Sequence, residues 1–162
     1  MNDAENMSKI LVVEDDAGIR QFLYLYLRQS GFEVHGVSDG QEAIGVIPEF
    51  CPDLIVLDIK MQPVDGWEVL HWLRSHYTSE QDLVPVLVLT ALTRLTEQAH
   101  GFEEGAVEYM TKPVQANMLV ERILDILSLS TEQRRMRRVK HFEQRSRMVE
   151  RLLAPQLDEF VY

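Results

Sequence analysis

Five short runs, KILVVE (9–14), FEVHGV (32–37), DLIVL (53–57), VPVLVL (84–89) and AVEYM (106–110), are mostly β-branched or aliphatic and bounded by Gly, Pro or charge, so they read as strands. Three of them are apolar on both faces. A strand without a polar face has to be covered on both sides, which antiparallel hairpins at a surface rarely achieve and crossover helices do. The intervening segments supply those helices. Ile19, Phe22, Leu23, Tyr26 and Leu27 recur at i, i+3, i+4, i+7, i+8 as a core-facing stripe ended by Gly31, and further helical patterns run from about 40 to 48, 66 to 76, 95 to 104 and 114 to 128. The order βα repeated five times, with right-handed crossovers, predicts a doubly wound α/β domain around a five-stranded parallel sheet.

In such a sheet, functional groups collect beyond the carboxyl ends of the strands, where the strand order switches. The first strand ends in Glu14, Asp15 and Asp16, the second in Ser38 and Asp39, the third in Asp58, the fourth in Thr90 and Ala91, and the fifth in Thr111, Lys112 and Pro113. Asp16 also reads as the cap of the helix beginning near Ala17. Carboxylates brought together repel one another unless a cation joins them, and magnesium, which takes oxygen ligands and keeps several waters, is the natural choice. Lys112 adds a positive charge and Thr90 a hydroxyl, both suited to phosphoryl oxygens, so the set fits phosphoryl transfer. Other chemistries find little support. The turn VEDDAGI lacks the glycines of a nucleotide-binding loop, and neither GxGxxG, GxxxxGK[ST] nor GxSxG occurs. The five histidines are scattered, and His71 and His76 do not share a helix face. Cys51 is the single cysteine, expected as a partly buried thiol before a strand, and this excludes an intramolecular disulfide. Trp67 and Trp72 read as packing or surface aromatics.

Charge divides the chain. Residues 1–131 carry 8 Lys/Arg and 21 Asp/Glu, or −13, whereas 132–162 carry 8 and 5, or +3, which together make the net charge of −10. A boundary near 130 is expected, with a domain at 1–130 and a helical extension at 131–162. The acidic body is a poor surface for phosphate-rich nucleic acid, so nucleic acid is not an expected partner. No run approaches the roughly 20 apolar residues of a membrane span, and MNDAENMSKI has neither the basic start nor the apolar stretch of a secretion signal. A cytoplasmic location follows as the expectation. From Thr131, read as a cap, good helix formers continue to about Leu153, in a helix either separate from or continuous with the fifth. Val139, Phe142, Ser146, Val149 and Leu153 follow a 3,4,3,4 heptad seam spanning two heptads. The extension fits a dimerisation and signalling helix, a basic helix folded back on its own domain, or a contact to nucleic acid or a membrane surface.

Taken together, KILVVEDDAGIR, LIVLDIKMQPVDGWEVL, VPVLVLTAL and YMTKP, in this order over about 120 residues, resemble the receiver domains of two-component response regulators. The resemblance implies the flavodoxin-like order of a five-stranded parallel sheet. It implies Asp58 as phosphoacceptor, Glu14 and Asp15 with Asp58 and the Lys60 backbone carbonyl around magnesium, Thr90 as switch hydroxyl, Lys112 as phosphate-binding lysine and Tyr109 as aromatic rotamer switch. The expected surface of change is formed by the helix at about 95–104, the fifth strand and the helix at 114–128. A histidine kinase or phosphotransfer protein is the implied donor, with a homodimer and a downstream protein as further partners. The chain would be a phosphoacceptor rather than an enzyme acting on a free substrate. A DNA-binding or other output regulator ending after its linker helix, and a metal-dependent phosphohydrolase, are the competing readings. Two places depart from the family pattern: the expected proline four residues after the acceptor is Gln62, with Pro63 following, and Lys60 lies two residues beyond the acceptor. Lys60 is expected to alter the lifetime of the phosphorylated state and Gln62 the loop beside the site, and with Ala91 and Leu92 they are the expected modulating residues.

Overall fold

The computed structural model describes residues 7–91 and 105–157. Its elements, numbered consecutively over those residues, are β1 (Lys9–Val13), α1 (Ala17–Gln29), β2 (Glu33–Val37), α2 (Gly40–Phe50), β3 (Leu54–Asp58), α3 (Gly66–His76), β4 (Val86–Thr90), β5 (Glu108–Thr111), α4 (Ala116–Ser128) and α5 (Thr131–Leu157). The strands form one sheet in the order β2-β1-β3-β4-β5, every pair parallel. The chain leaves β1 to one side for β2 and returns to the other for β3, so the switch in strand order lies at the carboxyl ends of β1 and β3. The helix expected at 95–104 lies outside the described residues.

Alternation along the strands builds two cores. Ile10, Val12, Leu54, Val56, Leu87 and Leu89 pack on one face against Leu23 and Leu27 of α1 and Leu119, Ile123 and Ile126 of α4. Leu11, Val13, Ile55, Leu57, Val86 and Val88 pack on the other against Ala43 and Ile47 of α2 and Val69, Leu70 and Leu73 of α3. Three helices start at an aspartate: Asp16, Asp39 and Asp65 accept the backbone N–H of Ile19, Glu42 and Glu68, each at 2.9 Å. Such a cap stabilises its helix by about 1 kcal/mol.

Three expectations change. In α1, Leu23 and Leu27 are buried, but Ile19 and Phe22 are exposed, Phe22 at 54%. The helix is rolled so that Arg20, Leu23, Tyr24 and Leu27 turn inward, and the Arg20 stem lies on the bare backbone of Gly36 in β2, where a Cβ would stand 3.4 Å from Arg20 Cγ. Cys51 is exposed, because it occupies the left-handed C-cap position of α2 at φ 51 and turns its side chain away from the core. Ser130, not Thr131, caps α5: Gln133 N–H donates to Ser130 Oγ at 3.2 Å and Ser130 N–H donates to Gln133 Oε1 at 2.8 Å. This reciprocal cap breaks the chain between α4 and α5, so the two are not continuous.

The first half of α5 folds back on the domain. Arg134 donates to the Ile126 and Leu127 carbonyls at the end of α4, Arg137 reaches Asp125 at 2.9 Å and Glu108 at 4.0 Å, and Arg138 bonds Glu80. His141 stands 3.6 Å from Glu108 and edge-on to Tyr109, so the helix lies against the edge strand β5. Val139 and Phe142 of the heptad seam are exposed. Arg138 is only 6% exposed whereas Arg135 pairs with Glu132 at the surface. Glu80 keeps its access to water, so removing Arg138 costs the packing of its buried stem and one charge-assisted hydrogen bond, whereas an exposed i,i+3 pair contributes little. Arg138→Ala is therefore expected to lower unfolding stability in urea by about 1–3 kcal/mol and Arg135→Ala by less than about 0.5 kcal/mol; equal losses would contradict this account of the latch.

Candidate functional site

β3 is buried along its whole length and delivers Asp58 at its carboxyl end, 5% exposed. Its neighbour β1 continues its ladder one residue further, Glu14 N–H donating to Val37 O at 3.1 Å, and this places Glu14, 1% exposed, beside Asp58. Carboxylate oxygens of Glu14, Asp15 and Asp58 all lie within 4.8 Å of one another. From the far side of β4, Lys112 reaches in: its Nζ donates to Glu14 Oε2 at 2.8 Å and lies 3.4 Å from Asp58 Oδ2. Its own backbone N–H donates to the Thr90 carbonyl at 2.9 Å, which fastens the end of β5 to the end of β4.

The close approach of α3 fixes the turn after Asp58. Gly66 N–H donates to Ile59 O at 2.9 Å, and a Cβ at Gly66 would stand 2.5 Å from the Asp58 carbonyl, so only glycine fits. This positioning role was not assigned from sequence; the Asp65-Gly66 pair between strand and helix was its signal. The peptide bonds Gln62-Pro63 and Lys112-Pro113 are both cis.

The crowding has an electrostatic consequence. Burial first, and then the charge of Glu14, push the Asp58 carboxyl up from 3.8 to about 7, a hydrogen bond with Asp15 acts in the same direction, and Lys112 only partly opposes them. Lys112 is raised as well: burial alone would lower it, but the hydrogen bond to Glu14 and the charges of Asp58 and Glu14 together hold it above the ordinary lysine value. Three carboxylates around one ammonium leave negative charge unmatched, and the all-oxygen donor set suits a hard divalent ion.

Other residues singled out in the sequence fall elsewhere. Thr90 ends β4, one position past Leu89, which pairs with Asp58 in register. Lys60, Gln62 and Ala91 are exposed at the strand ends, and Leu92 lies outside the described residues. Ser38 N–H donates to Glu42 Oε2 and Asp39 caps α2, so the end of β2 serves that helix instead of the acidic cluster. Tyr109 is half-buried in β5, its Oη accepting the Ala106 N–H at 3.2 Å and its ring 5.6 Å from that of His141. It thus sits against the tail and apart from the carboxylates. Trp72 stacks on His76 at 4.6 Å, which uses that imidazole in packing.

Residues 10–124 match the model of the response regulator receiver domain. The chain belongs to the response regulator receiver family. Among its relatives, the probable transcriptional regulator ycf27 of Pyropia yezoensis is 41% identical over 119 residues, covering 74% of this chain and 47% of that protein. The DNA-binding dual master transcriptional regulator RpaA of Synechocystis sp. is 33% identical over 121 residues, 75% of this chain and 49% of that one. A putative response regulator from Chloroflexus aurantiacus, solved by crystallography, superposes with a TM-score of 0.68 at 32% identity, covering 76% of this receiver and all of that chain. The receiver chain spans about half the length of the curated relatives it matches. A relative named for DNA binding removes the support for the expectation against nucleic acid. Among the described residues no helix is long and apolar enough to cross a membrane.

The raised Asp58 carboxyl makes a signed prediction. Between 3.8 and about 7 the folded receiver holds a proton that the unfolded chain has released, so Asp58 costs stability increasingly as pH rises through that window, and the cost is complete above it. In a chelator, Asp58→Asn should be more stable than the parent at pH 8 by a few kcal/mol, with the gap closing towards pH 4 and narrowing at pH 8 when magnesium is added. A gap independent of pH would contradict the assignment, and urea midpoints measured at several pH values give the answer.

Proposed function

We propose that this receiver accepts a phosphoryl group on Asp58, from a histidine kinase or phosphotransfer protein, with magnesium at its acidic cluster, and that the modified state alters the grip of the domain on its C-terminal helix. The observation that carries the reading is the meeting of Asp58 with Glu14, Asp15 and Lys112 at the switch point of the sheet. Glu14, Asp15 and Asp58, with the Lys60 backbone carbonyl, would hold the ion. When bound, it supplies charge neutralisation that keeps Asp58 ionised and screens the phosphoryl oxygens.

An oxygen of the Asp58 carboxylate attacks phosphorus as the bond from phosphorus to the donor's imidazole nitrogen, or to the oxygen of a small acyl phosphate, breaks. The leaving group departs with that electron pair, and Asp58 becomes an acyl phosphate. Lys112 turns its ammonium from the Glu14–Asp58 pair towards the charge on the equatorial oxygens, and the Thr90 hydroxyl donates to one of them. Water later cleaves the phosphorus–oxygen bond and returns the carboxylate. Lys60, exposed two residues beyond the acceptor, stands beside the path of that water. The chain thus works as a phosphoacceptor that catalyses only its own loading and clearance.

The extension from about 131 supplies the output. Tyr109 touches His141, and Glu108 beside it meets Arg137 and His141, so a turn of Tyr109 towards Thr90 would loosen the contact that holds α5 to β5. Release would let the helix reorient and carry its Val139 and Phe142 seam, exposed already in the docked state, to a second copy of the chain or a downstream protein. A DNA-binding regulator is the second reading, favoured by the Synechocystis relative and by the greater length of the relatives. In the first half of the tail, Arg134, Arg137 and Arg138 are engaged on their own domain and are not presented to phosphates.

Incubation with acetyl phosphate and magnesium should add about 80 Da to the intact mass, and Asp58→Asn should abolish the addition; an addition that survives in Asp58→Asn, or none in the parent, would sink the proposal. In the same assay Lys60→Ala should change the rate at which the added mass is lost, and an unchanged rate removes that role. Beryllofluoride with magnesium should raise amide exchange in α5 and change the size of the particle in solution. If neither moves, the tail does not report on Asp58.

A further inference from the structure

We propose that Arg20 is a positioning residue for the divalent cation, fixing the loop that presents Glu14 and Asp15 while leaving their carboxylate oxygens available. The inference rests on the reading of the acidic cluster as a cation and phosphoryl site. Arg20 sits in the first turns of α1, and its Nη1 donates to the Glu14 carbonyl at 2.8 Å and to the Asp15 carbonyl at 3.4 Å. The backbone of α1 ties the same turn from the other end, Arg20 N–H donating to Asp16 O at 2.9 Å. The loop between β1 and α1 is thereby held by one residue at three consecutive carbonyls.

The geometry gives that hold a purpose. Glu14 has a second restraint in Lys112, whereas Asp15 is exposed and, beyond its hydrogen bond with Asp58, is carried by its peptide units. If the peptides flanking Asp15 can rotate, its carboxylate swings out of the 4.8 Å cluster. An arginine placed to pair directly with the carboxylates would compete with the ion for their oxygens. Bonded to the carbonyls instead, the guanidinium brings its charge close to the acidic pair without occupying a ligand atom, and it offsets part of their mutual repulsion. Gly36 gives the stem its seat: a Cβ there would come into ordinary contact with Arg20 Cγ at 3.4 Å and Cδ at 3.5 Å, and a branched side chain, reaching further, would crowd the stem. Gly36 pairs with Val12 two residues before Glu14, so β2 carries the arginine beside the loop it fastens. Groups that orient metal ligands in this indirect way commonly change affinity by about 10–100-fold when removed.

The test measures Mg2+ and Mn2+ binding to the full chain by calorimetry and by Mn2+ paramagnetic resonance, together with the magnesium dependence of Asp58 phosphorylation by acetyl phosphate. Arg20→Ala should weaken cation binding about tenfold or more and raise the magnesium concentration for half-maximal phosphorylation in step. The rate at saturating magnesium should stay near that of the parent. Arg20→Lys, which keeps a charge and a single donor, should recover part of the affinity, and Gly36→Val should reproduce the loss with Arg20 still present. Arg20→Gln folds with a neutral donor and keeps the test decisive should the alanine variant be unstable. Unchanged cation affinity in Arg20→Ala and Arg20→Gln, or a lower saturated rate at unchanged affinity, overturns the role of Arg20 and leaves the phosphoacceptor reading standing. A parent chain that binds no divalent cation overturns both.

Discussion

The Asp58 carboxyl and the Lys112 ammonium meet at the end of a strand that is otherwise wholly apolar, and much of the architecture follows from keeping that carboxyl where it is poorly solvated. Leu54, Ile55, Val56 and Leu57 are covered on both faces, which fixes β3 at the middle of the sheet and leaves its last side chain no route to bulk water except through the site. Burial and the charge of Glu14 push the carboxyl up to about 7. Ionisation therefore becomes a conditional state, dependent on what cationic charge is near. A group poised in this way changes its character when charge arrives.

That constraint radiates outward through backbone contacts. Gly66 lets α3 close against the turn after Asp58, the Lys112 backbone ties β5 to β4 at Thr90, and Arg20 gathers the carbonyls of the acidic loop. On the far side of β5 the tail helix meets Tyr109 and Glu108. Lys112, which reaches the acidic cluster from the end of β5, lies three residues from Tyr109, which meets the tail, so a shift at that strand end has a short path to the helix.

Much of this was legible in the sequence, for definable reasons. Strands buried on both faces have few alternatives, so β1, β3 and β4 fall where their apolar runs do. The cap at Asp16 depends on a local hydrogen bond. The convergence of Glu14, Asp15, Asp58 and Lys112 followed from the strand-end rule and the family motifs. What escaped depends on three dimensions. The roll of α1, which exposes Ile19 and Phe22, follows from an arginine stem lying on Gly36 in another element. A tail folded back on its own domain was one of the readings its sequence allowed, but nothing in that segment announces that Glu80, Glu108 and Asp125 stand opposite its arginines. Cys51 looked like part of a strand approach, but its backbone is spent on ending α2.

The central claim is that Asp58 sits in an electrostatic conflict which a divalent cation relieves. Its side-chain carboxyl carbon, labelled with 13C and followed by NMR through a pH titration with and without magnesium, reports this directly. The account predicts a midpoint near 7 in chelator and a fall of more than a unit when magnesium is present. An ordinary carboxylate midpoint near 4 in chelator, or a midpoint that magnesium leaves in place, would contradict it.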